Sequence, residues 1–363
     1  MDEHKQYLLE NKNFAREMIL SNFSFDYNTL EIILEICKNN GTYFSWQDLS
    51  YNENIIWSDN LLDKYIRKFD ISILGVNKSL PWSKEFIDKY KNYWYWSREC
   101  EEVTDSDGDP IDGWCYKSIF ENPGIEWTTE LLKEFQSRID FADLSYTENI
   151  KWNFDKLNKF ADKLNWLGIS YSENIDFNEP LILKFKDLWY WDILYQNAKY
   201  CENSYLFHQY KTLTDDYKNC TEDDRIKIIM FNCSNIKLSQ EEIDQYYSLV
   251  NFSKLSYNTK IDWTINFLER YSSKLDWGIL ASNKSLPWSE MLLDLVKKQI
   301  DKNNKMKISK NLSKNIKLPW TFELILNNKS ILSEKSMARN MTIWDNIFKS
   351  DIDFDFVKYI FET

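Results

Sequence analysis

Tryptophan recurs along this chain on a beat of 25 residues. Trp57 and Trp82 lie 25 apart, as do Trp127 and Trp152, and Trp263 and Trp288. A second series runs through Trp46, Ile71 and Trp96, then through Tyr116, Phe141, Trp166 and Trp191. Thirteen of the 16 tryptophans fall on these two phases. A fixed period of this length means one small unit written repeatedly, each copy burying its apolar face on the next. A length of 363 residues would ordinarily suggest two or three domains, but a periodic chain predicts one continuous body with an extended surface.

With the first aromatic as position 1, the unit at Trp46 carries Leu49, Ser50, Tyr51 and Asn52 at positions 4 to 7 and Trp57 at position 12. Its second half then places Leu62, Tyr65, Ile66 and Phe69 at the i, i+3, i+4, i+7 spacing of an amphipathic helix, which predicts about ten helical residues. Ser58, Ser83, Thr128, Thr264, Ser289 and Thr321 stand just before these stripes, where a hydroxyl accepts from an orphan helical N–H. The first half has room for little more than one helical turn. The asparagines at Asn52, Asn77, Asn122, Asn258, Asn283 and Asn315 are expected to end that turn in a left-handed conformation. Pro81, Pro287 and Pro319 then block its continuation. Helices this short do not persist alone in water, so adjacent units must stack. The expected fold is all-α, an α-solenoid of units each holding a short and a longer helix. The alternative is a leucine-rich-repeat-like α/β horseshoe, because Leu-Ser-x-Asn echoes that family's leucine and asparagine spacing; the units lack its alternating strand residues.

Units begin at 46, 71, 116, 141, 166, 191, 227, 252, 277, 309 and 344, and the stretch 328–343 is degenerate. Residues 1–45 read as an N-terminal helical cap, 46–343 as the repeat body and 344–363 as a C-terminal capping unit. Insertions fall at about 97–115, 203–226 and 301–308, the first of them a hairpin crossing around Asp105 to Pro110. Binding surfaces of repeat proteins often recruit such insertions.

The formal charge of −12 disfavours a general nucleic-acid binder and makes another protein, a basic one, the expected partner. No apolar run is long enough for a membrane helix and the start lacks a signal stretch, so a cytoplasmic location with no membrane contact is expected. The six cysteines show no metal-ligand spacing and read as free, mostly buried thiols. Only His4 and His208 are present, and no phosphate-cradling or metallohydrolase motif occurs, so no catalytic residue is expected and the chain reads as no enzyme.

Two clusters stand out. Asp105, Asp107, Asp109 and Asp112 alternate like a calcium loop, but Tyr116 replaces the expected bidentate glutamate, so an acidic hairpin tip is the default and a calcium site the alternative. Lys297, Lys298, Lys302, Lys305, Lys307, Lys310, Lys314 and Lys317 form a basic stretch, which is a solvated loop or a contact for an anionic partner such as RNA.

The string Trp-x-x-Leu-Ser-x-Asn-x-x-Ile/Leu-x/Pro-Trp-Ser/Thr, at Trp46–Ser58 and Trp277–Ser289, resembles tryptophan-rich repeat proteins encoded by AT-rich bacteria and large DNA viruses. That resemblance implies an α-helical repeat body and assigns no catalytic residue. The functional expectation is a non-catalytic protein-interaction scaffold with an acidic extended surface, in a toxin-neutralising or anti-phage role. The alternatives are an RNA-binding helical repeat using the 297–317 lysines and a calcium-dependent module using the 105–112 loop.

Overall fold

The computed structural model describes residues 3–100, 103–104, 110–111, 115–213 and 216–363. Within these the regular structure is helical apart from short pairings. Glu99–Cys100 runs antiparallel to Cys115–Tyr116, and Val103–Thr104 to Pro110–Ile111, which makes the hairpin crossing expected at the first insertion. One parallel bridge joins Trp152 and Ile175. The all-α class therefore holds and the α/β horseshoe does not. The Leu-Ser segment that a horseshoe needs as a strand is helical, as in Trp46–Tyr51 and Phe252–Leu255.

Most of the short helices start on a side-chain cap immediately before position 1; those at Trp191 and Glu334 do not. Asp70 accepts from the Ile73 N–H, Asp140 from Ala142 and Asp143, and Asp276 from Ile279. The longer helices start on the predicted hydroxyls: Ser58, Ser83, Thr128, Thr264, Ser289 and Thr321 each accept from the N–H three residues on. Such caps contribute about 0.5–2 kcal/mol each. The longer helices are shorter than the stripe suggests, six residues at Lys84–Lys89 and nine at Glu290–Lys298. The last stripe residue falls beyond the helix end: Phe69 follows the helix Asp59–Tyr65 and is still buried.

The asparagine of position 7 does not adopt a left-handed conformation, and among the described residues no residue other than glycine has positive φ. Asn52 sits at φ −71°, ψ 114°. Extended backbone is what its side chain requires, because it laces adjacent units together. Asn77 Nδ2 donates to the carbonyls of Ser50 (3.1 Å) and Asn52 (3.0 Å), one unit back. Asn197 bonds Ser170 and Ser172 in the same way, Asn283 bonds Ser256 and Asn258, and Asn340 bonds Ser313 and Asn315. Each Oδ1 accepts from the N–H two residues on, as Asn77 does from Ser79 at 2.9 Å. Two donors and one acceptor on a short stem are what asparagine alone supplies. The serine of position 5 does parallel work: Ser50 Oγ donates to the Trp46 carbonyl and accepts the Asp70 N–H of the next cap, both within 2.9 Å.

The chain forms two compact units, Met1–Tyr95 with Trp288–Thr363 (unit 1) and Trp96–Pro287 (unit 2). In unit 1 the segments at the two ends of the chain meet. The helix Lys12–Asn22 packs against both Trp46–Tyr51 and Glu334–Ala338, and Tyr27–Asn40 packs against Phe354–Glu362. Asn22 Nδ2 donates to the Ala338 carbonyl (2.7 Å), while Asn52 Nδ2 reaches Leu20 and Phe23 (2.9 Å each), so the asparagine lacing runs through this helix. The stretch around 328–343, which lacks the aromatic signature, is a regular unit: Ser333 N–H meets Ser313 Oγ at 2.8 Å, and Asn340 takes its place in the lacing. In unit 2, Trp152 is 1% exposed and Trp127 and Trp263 are buried. Each buried tryptophan contributes about 4–6 kcal/mol of gross burial, set against the entropy of ordering the chain. Many indole N–H groups bond the carbonyl five residues back, as Trp263 does to Asn258 (3.0 Å) and Trp277 to Ser272 (2.7 Å).

Candidate interaction groove

The repeat itself decides which side chains reach solvent. Position 4 is core and position 5 bonds the next cap, so position 6 points away from both. In the units at 46, 141, 166 and 252 this residue is tyrosine: Tyr51, Tyr146, Tyr171 and Tyr257. Tyr146, Tyr171 and Tyr257 are 51%, 55% and 60% exposed, a placement no packing requirement explains. They line one cleft of about 730 Å³ in unit 2, together with Glu148 and Glu173 at position 8. It adjoins a pocket of about 230 Å³ through Tyr146, Thr147 and Glu148, and a cleft of about 890 Å³ through Tyr171, Glu173 and Lys254. Together they make one groove.

The groove opens where the lacing asparagine is missing. Positions 7 of the 141 and 166 units are Thr147 and Ser172, and both line the cleft. Ser172 Oγ accepts the Asn174 N–H at 3.2 Å, and the bridge back to the preceding unit passes instead to Asn174, whose Nδ2 donates to the Glu148 carbonyl. Gly168 shapes the wall. A Cβ there would stand 3.0 Å from the Tyr146 ring and 3.1 Å from the Ser145 carbonyl, so glycine at this point lets the ring lie against the following unit.

Two glutamates, Glu148 and Glu173, and one lysine, Lys254, line the cleft that holds the three tyrosines. Burial is the first cause holding the Glu173 carboxyl above its usual pKa, and the Glu148 charge adds to it; the Asn235 side chain and the charges of Lys260 and Lys254 pull it back. Lys254 Nζ donates to Asn232 Oδ1 (2.5 Å) and lies over the Phe231 ring, and Lys260 Nζ donates to the Asn235 carbonyl (2.7 Å). Both lysines are thus held by residues of the groove itself: Asn232 and Phe231 line the larger cleft and Asn235 the cleft of the three tyrosines. The same position in unit 1 is paired from within: Glu53 Oε2 meets Lys78 Nζ at 3.0 Å.

Unit 1 fills its tyrosine position from within too. The Arg339 guanidinium lies 4.4 Å from the Tyr51 ring centre, and its Nε and Nη2 donate to Asp48 Oδ1 at 2.9 and 2.5 Å. Asp48 is 4% exposed, so this pair is desolvated. Beside it, burial, then the Asp48 charge, raises the Glu17 pKa against the opposing charges of Arg339 and Lys335.

Asp105, Asp107, Asp109 and Asp112 lie outside the described residues. Among the described residues no group of three or more acidic, histidine or cysteine side chains is placed to hold a metal. The eight lysines from Lys297 to Lys317 are all exposed in unit 1, on the helices Glu290–Lys298 and Lys305–Lys314 and the turns beside them; Lys297 pairs with Asp294 at 2.9 Å. His4 bonds Asp351 and His208 bonds Glu222, at 2.6 and 2.8 Å. Cys37, Cys201 and Cys233 are buried free thiols, pushed by burial to about 11, 12 and 11. None is poised as a thiolate nucleophile. Composition and the charge runs miss the groove. Its signal lies in the repeat alignment, as tyrosine at position 6 followed by Thr147 or Ser172 where asparagine is the rule. No helix of the described residues is long and apolar enough to cross a membrane.

Comparison with models of known protein families finds no match, and neither the curated proteins nor the solved structures contain a significant match to this chain.

Proposed function

We propose that within each compact unit the repeats stack as an α-solenoid segment, and that the chain is a non-catalytic scaffold whose unit 2 groove takes an extended basic segment of another protein. The stacking is supported by side-chain bonds that recur one unit apart, from Asn77 to Asn52 and from Asn283 to Asn258. The observation that carries the function is the row of tyrosines. Tyr146, Tyr171 and Tyr257 come from the same repeat position, are each more than half exposed and line a single cleft with two glutamates and Lys254, whose ammonium is bonded to Asn232. Tyrosine offers large contact area at low entropic cost and is enriched at protein interfaces. Acidic groups between such rings favour a cationic chain over a nucleic acid. A peptide-display selection against the whole protein tests this. Selected peptides should be basic, and Tyr171→Ala combined with Tyr257→Ala should weaken them about tenfold or more, about 1.4 kcal/mol. Peptides that bind equally well without the tyrosines would sink the proposal.

A further inference from the structure

Unit 1 shows how this repeat holds an arginine. Asp48 and Tyr51 are positions 3 and 6 of one short helix, so they share a face, and Arg339 is clamped between carboxylate and ring. Unit 2 contains the same pair at the same spacing. Asp143 and Tyr146 are positions 3 and 6 of the unit that starts at Phe141.

Around that second pair stand Glu121 and Glu148, lining the pocket of about 230 Å³ with Asp143 and Tyr146. Arg98 is the cation of this lining. Its Nη2 is turned to Glu121 Oε1 at 3.3 Å, and what it offers Asp143 is its backbone N–H, at 2.9 Å. The lining thus holds three carboxylates and one guanidinium. Among the described residues no cation lies over the Tyr146 ring, whereas Tyr51 carries one. The ring is already oriented, because it rests against Gly168.

We propose that Asp143 and Tyr146, with Glu121 and Glu148, form an arginine-reading pocket that anchors one arginine side chain of the partner segment in the groove. This inference rests on the groove being a protein-binding surface. Arginine is favoured over lysine because a planar guanidinium stacks on the ring while its forked N–H groups reach the carboxylates, as Arg339 does in unit 1. A lysine ammonium offers a point charge without the planar face.

The test uses the full chain and a fluorescently labelled glycine–serine peptide carrying spaced arginines, with a lysine version of the same peptide, read by anisotropy. The arginine peptide should bind about fivefold or more tighter than the lysine peptide, and Tyr146→Ala or Asp143→Asn should each weaken it about tenfold. Glu241→Gln, an exposed change elsewhere in unit 2, should leave binding unaltered, and thermal melts check that every variant is folded. Equal affinity for the two peptides, unchanged affinity in the pocket variants or no binding of either peptide overturns the pocket. If display-selected peptides depend on Tyr171 and Tyr257 but not on arginine, the groove stands and the pocket falls. If no peptide depends on the tyrosines, both fail.

Discussion

The pair Asp48–Tyr51 in unit 1 and the pair Asp143–Tyr146 in unit 2 occupy the same two positions of the same repeat, yet among the described residues only the first holds a guanidinium over its ring, and Tyr51 and Tyr146 are themselves 40% and 51% exposed. In unit 1 the chain supplies its own Arg339, and the carboxylate is buried. In unit 2 the ring is half exposed and its carboxylate is only partly covered. A repeat position therefore becomes structure where the chain saturates it and binding surface where it does not. The sharpest way to break this contrast is to remove the arginine that the first pair holds and the carboxylate of the second. Arg339→Ala strands a buried carboxylate and should cost about 3–5 kcal/mol, whereas Asp143→Ala should stay within about 0.5 kcal/mol. Urea unfolding of the two variants decides it. Equal losses would mean that the unit 2 pair is structural as well.

The lacing asparagine draws a second line, between the laced repeats of both units and the two repeats, at 141 and 166, that open the groove, with a smaller effect. Asn77 in unit 1 is 5% exposed and satisfies two carbonyls of the preceding unit. Its truncation leaves both without that donor in a buried place and should cost about 2–3 kcal/mol. Ser172 holds the same position in unit 2, where its hydroxyl accepts a single long bond from Asn174, and Ser172→Ala should cost less than about 0.5 kcal/mol. Comparable thermal destabilisation in the two variants would show that the groove does not depend on the gap in the lacing.

Much of the fold could be read from the residues, because local chemistry and global period agree. The hydroxyl caps, the short first helix and the helical stripe each have a signal within a few residues, and the structure places them accordingly. The asparagine was misread for a physical reason. Its local preference for a helix end is visible in sequence, but its partners lie a whole unit away, and only the stacked neighbour shows why extended backbone wins. The unit at Glu334–Ala338 was hidden similarly: it has no aromatic at position 1, and its place is fixed by Ser313 and Asn340. The groove was the least legible. Tyr146, Tyr171 and Tyr257 look like core aromatics in a chain so rich in them, until the helix geometry turns position 6 outward. Of the clusters that charge alone singles out, the lysines belong to unit 1 and the aspartates lie outside the described residues.

The smallest effect separates the units at position 8. Glu53 in unit 1 is paired with Lys78 near the surface, an arrangement worth under about 0.5 kcal/mol, so Glu53→Gln should lower stability barely if at all. Glu173 in unit 2 has the opposite balance. Its pKa is raised, first by burial and then by Glu148, so its charged form is disfavoured in the folded state. A carboxyl with a raised folded pKa contributes stability that is fully present below its unfolded pKa and is lost as pH rises through the folded one. Glu173→Gln abolishes that loss. The variant should match the parent in mildly acidic solution below the usual carboxylate range and unfold at a slightly higher temperature at neutral pH, while Glu53→Gln shows no such pH-dependent gain. A Glu173→Gln protein less stable than the parent at neutral pH would mean that Lys254 and Lys260 already neutralise this carboxylate. The floor of the groove would then lack the unspent charge that a cationic partner needs.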